Sequence, residues 1–160
     1  MSQYTASVPD DGQVRSEIVK FFEKFYELSD DPNGHEKYGS FFTKDGKLIM
    51  GPNETNGRED IVKARPGMWE KVAKRSHKPI QIYAFGAGSD YVMLHGTVDY
   101  VLKDDRKTST SWGAKAHFTK EDGELRMDFY QVFLVSIVSP SIELQQLTSI
   151  QDTAAMSRAK

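Results

Sequence analysis

Among the side chains that can hold or move a proton near neutral pH, the four histidines His35, His77, His95 and His117 come first, and His77 is the one placed where a helical pattern gives way to a strand. A histidine there can shuttle a proton at the mouth of a pocket, or bond a backbone carbonyl at a strand start. Gln131 lies among Met127, Phe129 and Phe133, so alternation puts its amide on an apolar wall. That amide needs a partner, either in the protein or on a ligand carbonyl. Tyr100 and Trp112 share the same face, and Tyr26, Tyr38 and Trp69 approach it from helical segments, bringing hydroxyl and indole donors to aromatic walls. Phe129 and Met50 complete the apolar lining. Arg65 precedes Pro66 at a helix break and is either a surface arginine or a clamp for an anion or carbonyl. This set gives His77, Gln131 and Tyr100 as candidate catalytic residues. Tyr26, Tyr38, Met50, Arg65, Trp69, Trp112 and Phe129 are the candidate substrate contacts.

Other chemistry is excluded by composition. The histidines show no short ligand pair and no acid at helical spacing, so no metal set is expected, and no cofactor motif occurs. With no cysteine there is neither a disulfide framework nor a thiolate nucleophile. Twenty-one basic against 23 acidic residues leave a net charge of -2, which offers nothing to nucleic acid or to an anionic membrane. The N-terminal residues carry no basic and apolar leader pattern, and a cytoplasmic protein is expected.

The elements that must position these residues follow from periodicity. Helical spacing runs from Val14 to Leu28, a short second helix spans His35 to Phe42, and a third pattern runs from Arg58 to Lys74 with Pro66 kinking or splitting it. Lys47 to Met50 reads as a brief strand and Gly51 to Gly57 as a turn-rich loop. From His77 onward come four long strands. Three of them, over Asp90–Leu102, Lys107–Phe118 and Leu125–Leu134, are joined by the polar turns Lys103–Arg106 and Lys120–Gly123. Strict alternation sends Val92, Leu94, Gly96, Val98, Tyr100, Trp112, Ala114, Ala116, Phe118, Leu125, Met127, Phe129, Gln131 and Phe133 to one face. His95, Asp99, Lys115, His117 and Asp128 go to the other, together with Tyr130, Val132 and Leu134. A one-residue bulge would bring Lys115 and His117 inside. The pattern is an α+β domain at 14–137, in which three N-terminal helices pack on a curved antiparallel sheet around a conical space. Residues 1–13 are expected to be flexible, and the tail 138–160 frayed or docked on a partner subunit.

With these elements in place, the chain resembles the nuclear-transport-factor-2-like cone fold. More narrowly it resembles the SnoaL-like group, which includes polyketide cyclases, scytalone dehydratase and ketosteroid isomerase, and the fungal members of that group. The segments that carry the resemblance are Gly67–His77, Val92–Tyr100, Trp112–Ala116 and Met127–Leu134. It implies a cofactor-independent isomerase, cyclase or dehydratase acting on a hydrophobic polyketide- or terpenoid-like intermediate of secondary metabolism. The isomerase acid at the end of the first strand is missing, since that segment reads Leu48-Ile-Met50-Gly-Pro. Ala114 and Ala116 stand where a sheet donor would hold an oxyanion. His77 matches the scytalone dehydratase histidine at the helix-to-sheet junction. A non-catalytic ligand-binding or dimerisation module of the same fold is the alternative. The expected partners are a hydrophobic small molecule and a second copy of the chain, joined through the convex sheet face.

Overall fold

The computed structural model of the chain describes residues 2–135. The order of elements is α1 (Ser16–Ser29), α2 (His35–Gly39), β1 (Phe42–Met50), β2 (Asn53–Asn56), α3 (Arg58–Ala64), a 3-10 turn (Arg65–Trp69), β3 (Val72–Ala84), β4 (Tyr91–Leu102), β5 (Lys107–Glu121) and β6 (Glu124–Val135). The strands form one six-stranded sheet in the order β2-β1-β6-β5-β4-β3. Every neighbouring pair is antiparallel except β1 and β6, which run parallel. Among the described residues no helix is long and apolar enough to cross a membrane.

α1 lies across the inner face of the sheet because Ile18, Phe21, Phe22, Phe25 and Tyr26 recur at helical spacing and all of them are buried. Its aromatic edge meets β5 and β6: Phe21 and Phe22 pack edge-on against Phe118, Phe25 against Tyr130, and Tyr26 against Trp112 at 5.0 Å. Gly96 on β4 permits that last contact. A Cβ there would stand 2.7 Å from the Trp112 indole and 2.4 Å from the Lys78 carbonyl, so only glycine lets the indole lie against the strand. The β5–β6 hairpin closes through Asp122 and Gly123, both at positive φ (54° and 79°), the two-residue turn that suits strand twist.

Several boundaries depart from periodicity. The third helix stops at Ala64, because Pro66 and Gly67 leave room only for a 3-10 turn, and β3 begins at Val72 rather than His77. The second helix ends at Gly39, and Phe42 already belongs to β1. Asn53–Asn56, expected as loop, forms a short antiparallel partner for β1. The segment ahead of α1 is tied down: Ser7 bridges Gln81 on the sheet edge, Thr5 Oγ1 donates to Glu23 at 2.7 Å, and Ala6 is buried. The expectation for the tail 138–160 lies outside the described residues.

The largest departure is in β6. The pairing of β5 with β6 shifts between His117 and Phe118: His117 faces Phe129, Phe118 faces Met127, and Asp128 is the extra residue between them. This β-bulge reverses the alternation from there to the end of the strand. Tyr130 and Val132 are buried, while Phe133 is exposed. The bulge lies on β6 and not on β5, so Lys115 and His117 keep their outward orientation. Lys115 is exposed and its ammonium lies over the outer rings of Tyr91 and Phe129.

Candidate active site

The C-terminus of α1 leaves backbone carbonyls without helical partners. Arg65 satisfies them from the 3-10 turn: its Nη2 donates to the carbonyls of Leu28, Ser29 and Asp31 at 3.2, 2.8 and 3.2 Å. Arg75 on β3 adds a second donor to the Ser29 carbonyl. The Trp69 ring lies between the two guanidinium groups, 5.6 Å from Arg65 and 4.5 Å from Arg75, and Arg65 also stacks on Tyr38 at 4.4 Å. Burial pushes the Arg65 pKa down to about 10, and the neighbouring charge of Arg75 adds to that effect. Arg65 is still a cation at neutral pH.

Asp30 follows directly on α1 and takes hold of His77. Its Oδ2 accepts the His77 backbone N–H at 2.7 Å, and its Oδ1 lies 2.6 Å from His77 Nδ1. The carboxylate thereby fixes both the strand and the ring, and Nε2 is the nitrogen left over for chemistry. The ring is packed against Tyr26 (5.2 Å) and Trp112 (6.1 Å). Burial lowers the His77 pKa below its ordinary value of 6.5. Asp30 opposes that shift, and Arg75 and Arg65 add to it. A neutral imidazole, oriented by a carboxylate, results at neutral pH.

Beside it, the Tyr26 and Tyr130 hydroxyls meet at 2.8 Å in a fully buried pair. Burial raises the pKa values of Tyr26, Tyr130 and Tyr100, so all three stay protonated as hydrogen-bond donors. These groups border a cavity of about 40 Å³. That is room for about three water-sized occupants. His77, Tyr100, Tyr26, Tyr38, Met50 and Trp112 border it, as do Arg75 and Tyr130.

Four expected site residues, the catalytic candidate Gln131 and the contacts Phe129, Arg65 and Trp69, are placed elsewhere. Gln131 and Phe129 stand on the outer face because of the bulge at Asp128, Gln131 opposite Lys115 and Phe129 opposite His117. Arg65 is neither a surface residue nor a clamp in the cavity. It is buried as the cap of α1, because those carbonyls demand a donor. Trp69 is enclosed between the two arginines instead of facing the cavity. Asp30, Arg75 and Tyr130 are the residues that periodicity missed. Among the described residues, no group of three His, Asp or Glu side chains comes together as metal ligands would.

No family model matches the sequence, and no curated protein does so significantly. Solved structures do match. The hexachlorocyclohexane dehydrochlorinase LinA type 2 is 12% identical with a TM-score of 0.63, over 78% of this chain and 93% of its own. ActVI-ORFA from Streptomyces coelicolor is 18% identical with a TM-score of 0.61, over 74% and 95%. An NTF2-like protein from an Exiguobacterium species is 12% identical with a TM-score of 0.60, over 72% and 98%. The chain has the nuclear-transport-factor-2-like cone fold. At these identities the likeness to its SnoaL-like and other neighbours is one of fold.

Proposed function

We propose that this protein is a cofactor-independent enzyme that moves a proton on a small hydrophobic substrate, as an isomerase, cyclase or dehydratase. The observation that carries the reading is the 2.6 Å bond between His77 Nδ1 and Asp30 Oδ1 at the wall of a cavity lined by aromatic rings. In the reaction, His77 Nε2 takes a proton from a carbon next to a carbonyl, and the C–H electron pair passes into the carbonyl as an enolate oxygen. Asp30 balances the imidazolium that forms. Tyr100, or the Tyr26–Tyr130 pair, donates a hydrogen bond to the enolate oxygen between the aromatic walls of the cavity. Return of the proton from Nε2 to another carbon gives an isomer. If a hydroxyl on the neighbouring carbon leaves instead, it departs with that proton as water. One fold neighbour is named a dehydrochlorinase, an elimination of the same kind. Polyketide- or terpenoid-like intermediates are the proposed substrates and the cytoplasm the proposed location.

The test is incubation with a panel of such intermediates in D2O, followed by mass spectrometry and NMR. Conversion, or deuterium uptake next to a carbonyl, is expected for the wild type and lost in His77→Ala. Equal rates in the two proteins would remove the assignment. The absence of an acid at the end of β1 and the alanines Ala114 and Ala116 on the inner face favour a second reading, a carrier that holds a ligand unchanged. The same panel detects that reading as a bound, unconverted and unexchanged compound.

For a partner, we assign a second copy of the chain to the convex face. With Tyr130 and Val132 turned inward, the exposed apolar residues there are Tyr83 (43%), Tyr91 (44%), Met93 (47%) and Phe133 (45%). Sedimentation showing a monomer at micromolar concentration would contradict it.

A further inference from the structure

We propose that the ligand of the cavity is a carboxylic acid, bound as its carboxylate by Arg75 beside His77. The proton-transfer reading above supplies the role of His77; the charge of the ligand is argued separately. Two guanidinium groups are withdrawn from water at the end of α1: Arg65 is fully buried, and the Arg75 side chain is 7% exposed. One buried acidic side chain stands among them, Asp30, 6% exposed, with the exposed Asp31 next to it. His77 takes one bond from each of its oxygens, at 2.6 and 2.7 Å, and Arg75 Nε makes an ion pair with Oδ1 at 3.6 Å, too long for a hydrogen bond.

The helix end absorbs some of the remaining charge. Its carbonyls amount to about half an elementary negative charge, so among the buried groups two cations face one carboxylate and that half charge, and the Asp31 carboxylate at the same helix end acts on Arg65 from solvent, where water screens it. The hydrogen-bond donors are in the same state. Arg65 Nε and Nη1, Arg75 Nε and Trp69 Nε1 are buried without hydrogen-bond partners among the described residues. A buried cation with spare donors calls for an anion. Arg75 is the one of these groups that borders the cavity, and Trp69 stacked on it at 4.5 Å holds the guanidinium in one plane.

Position narrows the ligand class further. Arg75 and His77 are two residues apart on one strand, so their side chains leave the same face about 6.6 Å apart. A carboxylate seated on Arg75 brings a carbon two or three bonds farther along beside His77. A 3-oxo acid has that spacing, and a neutral ketone would add no negative charge to Arg75, whose ion pair with Asp30 is 3.6 Å long.

The experiment compares acetate with acetamide, which match in shape, differ in charge and suit a cavity of about 40 Å³, by calorimetry at constant ionic strength. Acetate is expected to bind the wild type at least about tenfold more tightly than acetamide. Arg75→Gln should erase the difference and Arg75→Lys should retain part of it. Thermal melting of the wild type with each probe reads the same preference without a variant, should Arg75→Gln not fold. Equal affinities, no acetate binding, or a preference that survives Arg75→Gln would overturn the proposal. Preference for acetate with no exchange on any panel compound would support the acid site and remove the His77 base. Exchange on neutral ketones without acetate preference would do the reverse.

Discussion

The protein holds two histidine–aspartate pairs of equal length, His77–Asp30 inside the cone and His117–Asp128 on the outer face, each with Nδ1 2.6 Å from Oδ1. The inner pair is 15% and 6% exposed, and the outer pair 25% and 38%. Around His77 stand Tyr26, Trp112, two buried arginines and a cavity. Around His117 stand the half-exposed ring of Tyr91 at 4.1 Å and open solvent. The bond is the same and the environments are opposed. Burial changes what the carboxylate does: inside it is the anion nearest two cations and fixes the strand backbone as well as the ring, whereas outside water competes for the same contact.

That contrast can be broken by experiment. His77→Ala should lower turnover by roughly 10²- to 10⁴-fold, whereas His117→Ala should leave it unchanged, measured on whichever panel compound exchanges deuterium. Comparable losses in both variants would erase the distinction. Next in size is stability. Asp30→Asn leaves the buried guanidinium groups without their carboxylate and should cost about 3–5 kcal/mol in denaturant unfolding. Asp128→Asn should cost no more than about 1 kcal/mol.

The pH dependence sharpens the same point. Since folding lowers the His77 pKa below 6.5, the unfolded chain binds this proton more readily than the native protein. Stability from this group is therefore complete above about pH 6.5 and falls as the pH drops from there to the folded pKa. Activity should hold level from neutral pH to below 6.5 before its acid limb begins. Asp30→Asn should push that limb lower, and Arg75→Gln should raise it, because these residues shift His77 in opposite directions. Smallest of all, Lys115→Gln on the outer face removes cation–π contacts worth about 0.5–1 kcal/mol, read by thermal melting.

The sequence made the cone legible and part of the site. Helix α1, the three-strand meander, and the cavity positions of His77, Tyr100, Tyr26, Tyr38, Met50 and Trp112 follow from periodicity, because each of those elements is apolar on one side only. β6 defeats the same method. Met127, Phe129 and Phe133 form one apolar series and Tyr130, Val132 and Leu134 another, so hydrophobicity gives no preference for either phase. Asp30 reads locally as the end of a helix, and its bond to His77 spans 47 positions. The doubled acid Asp30-Asp31 at that terminus was a usable signal, since a helix C-terminus disfavours negative charge without a compensating cation. Arg65 looked exposed for the converse reason: a charged residue beside a proline break suggests surface until the carbonyls it caps are located.

The extra residue at Asp128 also bears on how such a site can change over generations. Loss of that codon would remove the bulge and leave Phe129 opposite His117 and Tyr130 opposite Ala116, so every side chain from 129 to 134 would keep its face and only the outer partner of His117 would be lost. The faces exchange when the strand slides by one residue, so that Asp128 itself pairs with His117; Tyr130 and Val132 would then leave the cavity and Phe129, Gln131 and Phe133 would enter it. A lineage can therefore shed this codon without touching the tyrosine pair, with His77, Asp30 and Arg75 left where they stand.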